Sequence, residues 1–418
     1  MTSREKVQLA LNHKEGEIPI DFGTTGVTGI HCKVIEGLRK HYGLKDRPVK
    51  VIEPYQMLGE VDEELQQIIG TDVTGIKGRK NMMGTTELEY HQQTTPWGQT
   101  VLISSEIDLT PDAEGNIYVY AQGDRSYPPS AVMPSGCYFI NAIERKPFVD
   151  EDSLRIEDNL EEFGLIDDVD LEHFTARIEE AALTETAVIA SFGGAALGDI
   201  AFIPGMSLKD PKGIRSVAEW YMSTVLRPDF IHRIFERQID LAINNYQKLW
   251  DRVGDKVDVV FTCGTDFGTQ ESQFCSVNTY QELWLPHYKR MNEWIHRHTT
   301  WKVFKHCCGS ILPLIPAMID SGFDILNPVQ INAKNMDSQR IKEEFGRHLT
   351  FWGGGVDTQQ ILPYATPEQI REHVWRQCEI FGKGGGYVFN SVHNIQANIP
   401  VENVVAIFEA FNELRNRK

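Results

Sequence analysis

An imidazole and two thiols stand together in one short stretch of the sequence, His306-Cys307-Cys308. The stretch follows a short apolar run and precedes a helix-like segment that begins near Ile311. In an extended chain, residues two apart point to the same face, so His306 and Cys308 face one way and Cys307 the other. An imidazole and a thiolate on one face are half of a zinc site. A buried histidine beside two small apolar cysteines is the alternative that these residues leave open.

Carboxylate and amide side chains recur where the predicted strands end. Asp266 and Glu271, after the fourth strand, are candidate catalytic acids or bases, although an aspartate there can also cap the next helix. Asp357, after the seventh strand, is a third candidate catalytic carboxylate. Polar side chains at the other strand ends suit the orientation of a ligand, with ordinary loop closure as the alternative. The candidate substrate-binding residues are Asp21, Asn327, Gln330, Gln359 and Asn390.

Eight short apolar or β-branched runs end in or near Gly, Asp, Asn or Ser, which is typical of strands. They span residues 18–23, 71–76, 187–191, 257–263, 302–307, 324–329, 349–353 and 387–391. Segments between most of them carry apolar residues three and four apart and predict helices, among them 312–321, 336–345 and 367–381. This alternation predicts an α/β fold, a (β/α)₈ barrel of the TIM type, whose active sites lie at the carboxyl ends of the strands.

Two long stretches interrupt the alternation. Residues 24–70 are predicted to be mostly helical, over 30–41 and 54–69. Residues 77–186 contain strand-like runs at 87–93, 99–103 and 116–120, and we interpret them as a β-rich insertion after the second strand of one barrel domain that spans residues 1–418. The alternative fold, an open doubly wound sheet, carries a Gly-rich dinucleotide turn after its first strand when it binds a dinucleotide, and residues 23–29 do not match that pattern.

Composition narrows the possible partners. The formal net charge of −18 argues against nucleic acid and anionic membranes, because both require a basic surface. Seven cysteines suggest no disulfide framework, and the first residues lack the apolar core of a signal peptide. We therefore expect a cytoplasmic protein that binds neither nucleic acid nor membrane.

Several stretches resemble the uroporphyrinogen decarboxylase superfamily. They are residues 304–309, 323–330, 351–357, 392–395 and 400–404. The resemblance implies a (β/α)₈ fold and one of two chemistries. One branch decarboxylates uroporphyrinogen without a metal and carries an arginine-rich N-terminal loop. The other branch consists of zinc methyltransferases that move methyl groups between small molecules and a cobalt corrinoid (cobalamin) on a separate protein.

The methyltransferase branch is the one that the motifs resemble more. Its signature is His-x-Cys followed by a third ligand near the C-terminus, and this chain has His306 and Cys308. Where those enzymes usually have a cysteine ligand, this chain has His393, which can ligate zinc or form hydrogen bonds in the pocket. No arginine occurs in residues 21–31, so the anion clamp of the decarboxylases is absent.

The resemblance therefore implies a zinc-dependent methyltransferase with ligands His306, Cys308 and His393 and a corrinoid protein as its partner. We favour the demethylating direction, in which zinc polarises the heteroatom that carries the methyl group of a small methyl donor. The alternatives are a metal-free decarboxylase and a barrel that binds a small molecule without chemistry.

Overall fold

The computed structural model describes residues 1–193 and 195–416. Its strands, in chain order, are β1 Ile30–His31, β2 Val49–Glu53, β3 Leu58–Gly59, β4 Val73–Ile76, β5 Tyr90–Thr94, β6 Thr100–Ser104, β7 Ile117–Val119, β8 Ala131–Met133, β9 Asn141–Ala142, β10 Ala187–Ala190, β11 Val259–Cys263, β12 Lys302–His306, β13 Ile325–Asn327, β14 Thr350–Trp352 and β15 Tyr387–Val388. Its α-helices are α1 Ser3–Leu11, α2 Cys32–His41, α3 Glu63–Ile69, α4 Asp168–Ala181, α5 Val217–Leu226, α6 Pro228–Val253, α7 Val277–Leu283, α8 Leu285–His298, α9 Ile315–Asp320, α10 Ser338–Phe345, α11 Pro367–Gly382 and α12 Val401–Asn416. One-turn 3₁₀ helices span Ala121–Gly123, Glu151–Ser153, Glu157–Asn159, Gly254–Lys256 and Leu312–Leu314.

A seven-stranded parallel sheet forms the centre of the structure, in the order β4-β10-β11-β12-β13-β14-β15. Helices alternate with these strands along most of the chain, because parallel strands need crossover connections. The seven strands predicted from the sequence after the first are confirmed, with shorter bounds. The predicted helix start at Thr366 is confirmed as well, because Thr366 and Gln369 form a capping box at the N-terminus of α11.

A short segment around Ile20 closes the sheet into a barrel of the TIM type. Ile20 forms a parallel bridge with Phe389 beside β15, and its carbonyl accepts the N–H of Asp72 beside β4 at 2.9 Å. The prediction of a full strand over residues 18–23 is wrong, because only this single bridge forms. Pro19 has no N–H to donate, and the chain turns away at Gly23, whose φ is +88°.

Helix α1 seals one end of the barrel. Its residues Val7, Ala10 and Leu11 pack in one buried cluster with inward-facing side chains of the strands. Those strand residues are Val73, Ala187, Ile189, Val259, Phe304, Ile325, Trp352 and Val388. Helix α1 was not among the helices predicted from the sequence. Because helix α1 fills the amino-terminal end of the barrel, a ligand has to enter from the carboxyl-terminal end.

The residues before and after β4 form two further sheets. A five-stranded sheet has the order β1-β3-β2-β6-β5, and a three-stranded sheet has the order β7-β8-β9. The predicted strand-like runs of residues 87–120 are confirmed as β5, β6 and β7. The interpretation of residues 77–186 as an insertion in a single domain stays a prediction.

The predicted helix over residues 54–69 is wrong in its first half. The carboxylate of Glu53 accepts the N–H groups of Tyr55 and Gln56, which bends the chain sharply after β2. Strand β3 then pairs antiparallel with β2, and helix α3 begins only after Asp62, whose side chain accepts the N–H of Leu65. In the described residues, no helix combines the length and the apolar character that crossing a membrane requires.

We expect that Asp72→Ala destabilises the protein by about 3–5 kcal/mol, because it breaks the ion pair of a buried carboxylate with Arg415. Asp72 is 1% exposed and binds the N–H of Ile20, the hydroxyl of Ser3 and the guanidinium of Arg415. Urea denaturation measures the change in the free energy of unfolding. Glu344→Ala, which removes an exposed ion pair with Arg340, is the control and should cost less than about 1 kcal/mol. Equal losses in the two variants contradict the assigned role of Asp72 in closing the barrel.

Candidate metal centre

A polar layer lies directly above the apolar interior of the barrel. Side chains two apart on a strand share a face, so His306 follows Phe304, Asn327 follows Ile325 and Asn390 follows Val388 on the inward face. The lower member of each pair belongs to the buried cluster around α1. The upper members are therefore held at the carboxyl-terminal end of the barrel, which is open to a ligand.

Three potential metal ligands come together in this layer. One ligand atom each from His306, Cys308 and His393 lies within 4.8 Å of the other two. The Sγ atom of Cys308 lies 3.3 Å from Nε2 of His306, and the rings of the two histidines have their centroids 5.2 Å apart. Cys307 points away, and its Sγ atom accepts the backbone N–H of Phe267.

Hydrogen bonds hold His306 in one tautomer. Its Nδ1 atom lies 2.6 Å from Oδ1 of Asn327, and the amide of Asn327 in turn donates to the carbonyl of Trp352 at 2.7 Å. Since Asn327 Oδ1 can only accept, Nδ1 carries the proton and the lone pair of Nε2 faces Cys308. Asn327 is thus a positioning residue whose side-chain oxygen and nitrogen both bond protein groups.

The turn that carries Cys308 is fixed from two sides. Asp266 Oδ1 accepts the N–H of Cys308 at 2.6 Å, and Gln330 Oε1 accepts the N–H of Gly309 at 2.7 Å. Gly309 has φ +91°, and a Cβ atom there would lie 2.3 Å from the backbone of Gly268. A glycine is required at this position because two loops approach each other backbone to backbone.

His393 reaches the site through an unusual backbone conformation. Its φ is +66°, in the left-handed region that residues other than glycine seldom adopt. Its carbonyl accepts the hydroxyl of Ser391 at 2.7 Å, and the next residue, Asn394, is tied to the N–H of Gly29 at 2.6 Å. Such strained positions persist where neighbouring contacts hold them, and they are common at functional sites.

The surroundings of the three ligands keep them uncharged in the absence of a metal. Burial lowers the pKa of His306 and of His393 to about 4 each, and the nearby His306 ring adds to the effect on His393. Burial and the adjacent Asp266 raise the pKa of the Cys308 thiol well above its usual value. A divalent cation reverses this preference for the thiol, because metal binding stabilises the thiolate.

The donor set fits zinc. Zinc binds histidine nitrogen at about 2.0–2.1 Å and thiolate sulfur at about 2.3 Å, so a nitrogen and a sulfur on one tetrahedral ion lie about 3.5 Å apart. The separation of 3.3 Å between His306 Nε2 and Cys308 Sγ is close to that value. Three protein ligands with one open position are the pattern of catalytic zinc sites.

A carboxylate that was not among the predicted site residues lies beside this centre. Asp199 lies in the loop after β10 and is 7% exposed. One of its oxygens accepts the N–H of Ala201, and the other lies against Gly264, two residues before Asp266. Burial raises the pKa of Asp199 to about 6, and Asp266 contributes to the increase. Its position after the carboxyl end of the third predicted strand was the signal that could have identified it.

The structure does not bring every candidate residue to the centre. Glu271 has a side chain that is 78% exposed and pairs with Lys334. Gln359 is exposed and its side-chain oxygen accepts from Asn332, whereas the carboxylate of Asp357 accepts the N–H groups that begin the next turn. These three are therefore separate from the ligand group.

Asp21 and Asn390 lie together in the polar layer. The carboxylate of Asp21 accepts from Trp352 Nε1 at 2.8 Å and from the hydroxyl of Thr24 at 2.6 Å, and the amide of Asn390 donates to the Asp21 carbonyl. Burial raises the pKa of Asp21 to about 6. Oδ1 of Asn390 has no hydrogen-bond partner among the described residues.

The comparison with family models identifies the group to which the sequence is related. The model described as uroporphyrinogen decarboxylase (URO-D) matches residues 174–414, which is more than half of the chain and includes all three candidate ligands. The chain belongs to the uroporphyrinogen decarboxylase family. Its curated relatives in this family include the uroporphyrinogen decarboxylases of Psychromonas ingrahamii, 43% identical over 61 residues, and of Methylococcus capsulatus, 32% identical over 99 residues.

Those matches are local, whereas the structural match is global. They cover 15% and 24% of this chain, and only 17% and 26% of the two relatives' lengths. A solved structure described as a methyltransferase from Methanosarcina mazei covers 99% of both chains with a TM-score of 0.56 and 14% sequence identity. This similarity shows that the two proteins share the fold.

We expect acid to destabilise the metal-free protein through the two histidines. Their pKa is about 4 in the folded state against 6.5 for an ordinary histidine, so unfolding takes up protons between these values. The free energy of unfolding should therefore fall as the pH drops below about 6.5, by about 2 kcal/mol per histidine at about pH 5. Urea denaturation of chelator-treated protein, first well above pH 6.5 and then at about pH 5, measures this loss. His306→Asn and His393→Asn should each remove part of the pH dependence, and an unchanged dependence contradicts the burial of the rings.

Proposed function

We propose that this protein is a zinc-dependent methyltransferase that moves a methyl group between a small methylated substrate and a corrinoid carried by a separate protein. The observation that carries the proposal is the convergence of His306, Cys308 and His393 within 4.8 Å at the ligand-accessible end of the barrel. A metal-free decarboxylase has no need of a thiol and two imidazoles in mutual contact.

The fold supports this proposal. The family includes proteins named as decarboxylases, and a protein named as a methyltransferase has the same fold over 99% of this chain. The activity that the second protein is named for comes to this chain only as part of the proposal. The demethylating direction, the zinc ion and the corrinoid partner are likewise our proposal, drawn from the motif and the ligand geometry.

His306, Cys308 and His393 would hold the zinc ion. When bound, zinc supplies Lewis acidity toward the heteroatom that bears or receives the methyl group. Asn327 orients His306, and Asp266 and Gln330 orient the turn of Cys308, so hydrogen bonds from neighbouring groups preorganise the three ligands. Asp266 Oδ1 also lies 3.9 Å from His306 Nε2, where a carboxylate can accept a proton from a substrate.

The electrostatics of the site argue against the decarboxylase alternative. Uroporphyrinogen is a polycarboxylate, and its recognition requires cationic side chains. The polar layer and its surroundings instead carry the buried carboxyl groups of Asp21 and Asp199, together with Asp266. Like charges at close range repel, so a polyanionic substrate is disfavoured here.

We expect the purified protein to hold about one zinc ion per chain, and His393→Ala to lose most of it. His393→Cys should retain zinc, since thiolate is also a zinc ligand. Cys307→Ser is the matched control for Cys308→Ser, because only Cys308 faces the other ligands. Elemental analysis of protein prepared without a metal-affinity tag, with circular dichroism as a check of folding, measures these outcomes. Less than about a tenth of an equivalent after zinc supply would falsify the zinc proposal.

We further expect methylation of cob(I)alamin, followed by its change in absorbance, when the protein is given the methyl donor that it uses from a panel of O-, N- and S-methyl compounds. Cys308→Ser should abolish this activity, and Cys307→Ser should leave it nearly intact. Release of carbon dioxide from uroporphyrinogen, without methyl transfer and with no effect of Cys308→Ser, would favour the decarboxylase alternative instead.

A further inference from the structure

Lys305 is the one buried lysine among the described residues, and it lies directly behind the candidate metal centre. It precedes the ligand His306 on β12 and, by strand alternation, points away from the barrel interior. It is 0% exposed and forms no ion pair with a carboxylate in the described part of the chain. The two buried arginines, Arg39 and Arg215, are both paired with carboxylates. A buried amino group without an ionic partner is costly, and proteins keep such groups mostly where they serve a function.

We propose that Lys305 and Tyr288 are positioning residues of the metal centre, because they fix the loop after β11 that in turn fixes the turn of Cys308. We name residues 264–269 the anchor loop. The inference deepens the proposed function and rests on it only in identifying the bound metal as zinc.

Two contacts of Lys305 hold the start of the anchor loop. Its Nζ atom donates to the carbonyl of Thr265 at 2.5 Å and contacts Sγ of Cys263 at 3.2 Å. Cys263 is the partner of Lys305 in the register of β11 and β12, so the lysine reaches it across one strand. The rings of Phe267 and Tyr288 lie near the same Nζ atom, with centroids 5.3 and 5.6 Å away. Aromatic faces attract a cation, so these rings help to hold the amino group in place.

Tyr288, on α8, holds the same threonine through its side chain. The hydroxyl of Tyr288 donates to Oγ1 of Thr265 at 3.1 Å, and Oγ1 in turn donates to the carbonyl of Ala196 at 2.5 Å. The thiol of Cys263 lies 3.2 Å from the Tyr288 oxygen, which can accept its proton. Thr265 is therefore bonded at both its carbonyl and its hydroxyl within a buried network.

The anchor loop is bonded to the ligand turn along its length. The carboxylate of Asp266 accepts the N–H of Cys308 at 2.6 Å, and the carbonyl of Thr269 accepts the N–H of Ser310 at 2.7 Å. Asp266 directly follows Thr265, so a displacement of Thr265 moves the group that holds the Cys308 backbone. Residues that hold metal ligands without touching the metal typically change metal affinity by about 10- to 100-fold when they are removed.

The positive charge of Lys305 acts on a metal ion in the opposite direction from its bonds. Like charges repel, so loss of the charge alone would strengthen zinc binding. Loss of the bonds to the anchor loop would weaken zinc binding, because the turn of Cys308 would no longer be held in place. The direction in which zinc affinity changes therefore separates the two effects.

Hydrogen exchange of the full-length, chelator-treated protein tests the positioning role without a metal. We expect Lys305→Met and Tyr288→Phe to increase amide exchange in the peptide that contains Cys308, because the loop that holds its N–H loosens. Tyr280→Phe is the matched control for Tyr288→Phe. Both tyrosines are fully buried, but the hydroxyl of Tyr280 bonds Ser321 and no residue of the anchor loop.

Zinc affinity, measured on the same proteins by competition with a chelator, tests the consequence for the metal. We expect Lys305→Met to weaken zinc binding by about 10- to 100-fold and Tyr288→Phe to weaken it by a smaller factor. Lys302→Met is the control for charge, because Lys302 lies on the same strand and pairs with Asp324, and its zinc affinity should be nearly unchanged. If Lys305→Met does not fold, the pair Tyr288→Phe and Tyr280→Phe carries both measurements.

Unchanged exchange in the peptide that contains Cys308, or an equal increase in the two control variants, overturns the inference. Zinc binding that is unchanged or tighter in Lys305→Met overturns it too. Wild-type protein that binds no zinc, with faster exchange in the two variants, contradicts the zinc proposal alone. Wild-type protein that binds zinc, with unchanged exchange in the variants, contradicts the positioning role alone.

Discussion

Hydrogen bonds of residues 19–21 join the two edges of the parallel sheet, because Ile20 bonds Asp72 on one side and its two neighbours, Pro19 and Asp21, bond Phe389 on the other. Everything at the open end of the barrel depends on this closure. The closure places β15 next to the segment around Ile20. The residues after β15 then extend over the open end of the barrel toward β12. His393 lies near His306 for this reason, although about 90 positions separate them in the sequence. With open edges, the two rings would stand on distant strands.

Buried polar groups of the barrel fall into two classes, those that form ion pairs and those that are held by neutral hydrogen-bonding groups. Away from the mouth, several buried carboxylates form ion pairs that join distant parts of the chain, as Asp72 and Arg415 do. At the mouth, imidazoles, thiol and carboxylates are held by neutral amides and backbone N–H groups and keep part of their bonding capacity. These groups contribute less to the free energy of folding than paired charges would, but they remain available to a ligand, as the groups of an active site usually do.

The sequence predicted elements whose signals are local. Apolar runs with terminal Gly, Asp or Asn gave seven of the barrel strands, and strand alternation alone placed His306 with Cys308 and away from Cys307. Signals that depend on tertiary contact were missed. The turn after β2 depends on the Glu53 carboxylate. Helix α1 did carry a local signal that was overlooked, the capping box of Thr2 and Glu5, although its place inside the barrel depends on packing. Asp199 has no motif around it, and its proximity to Gly264 and Asp266 depends on how two loops pack.

The order in which the three candidate ligands occur along the chain has a consequence for how the protein matures. Synthesis proceeds from the amino terminus, so His306 and Cys308 leave the ribosome together and His393 follows much later. The third donor takes its place only when β15 docks against Ile20 and the ring is complete. A nascent chain therefore offers a metal two donors, and the finished protein offers three. If zinc binds there as we propose, its tight capture follows the completion of the ring.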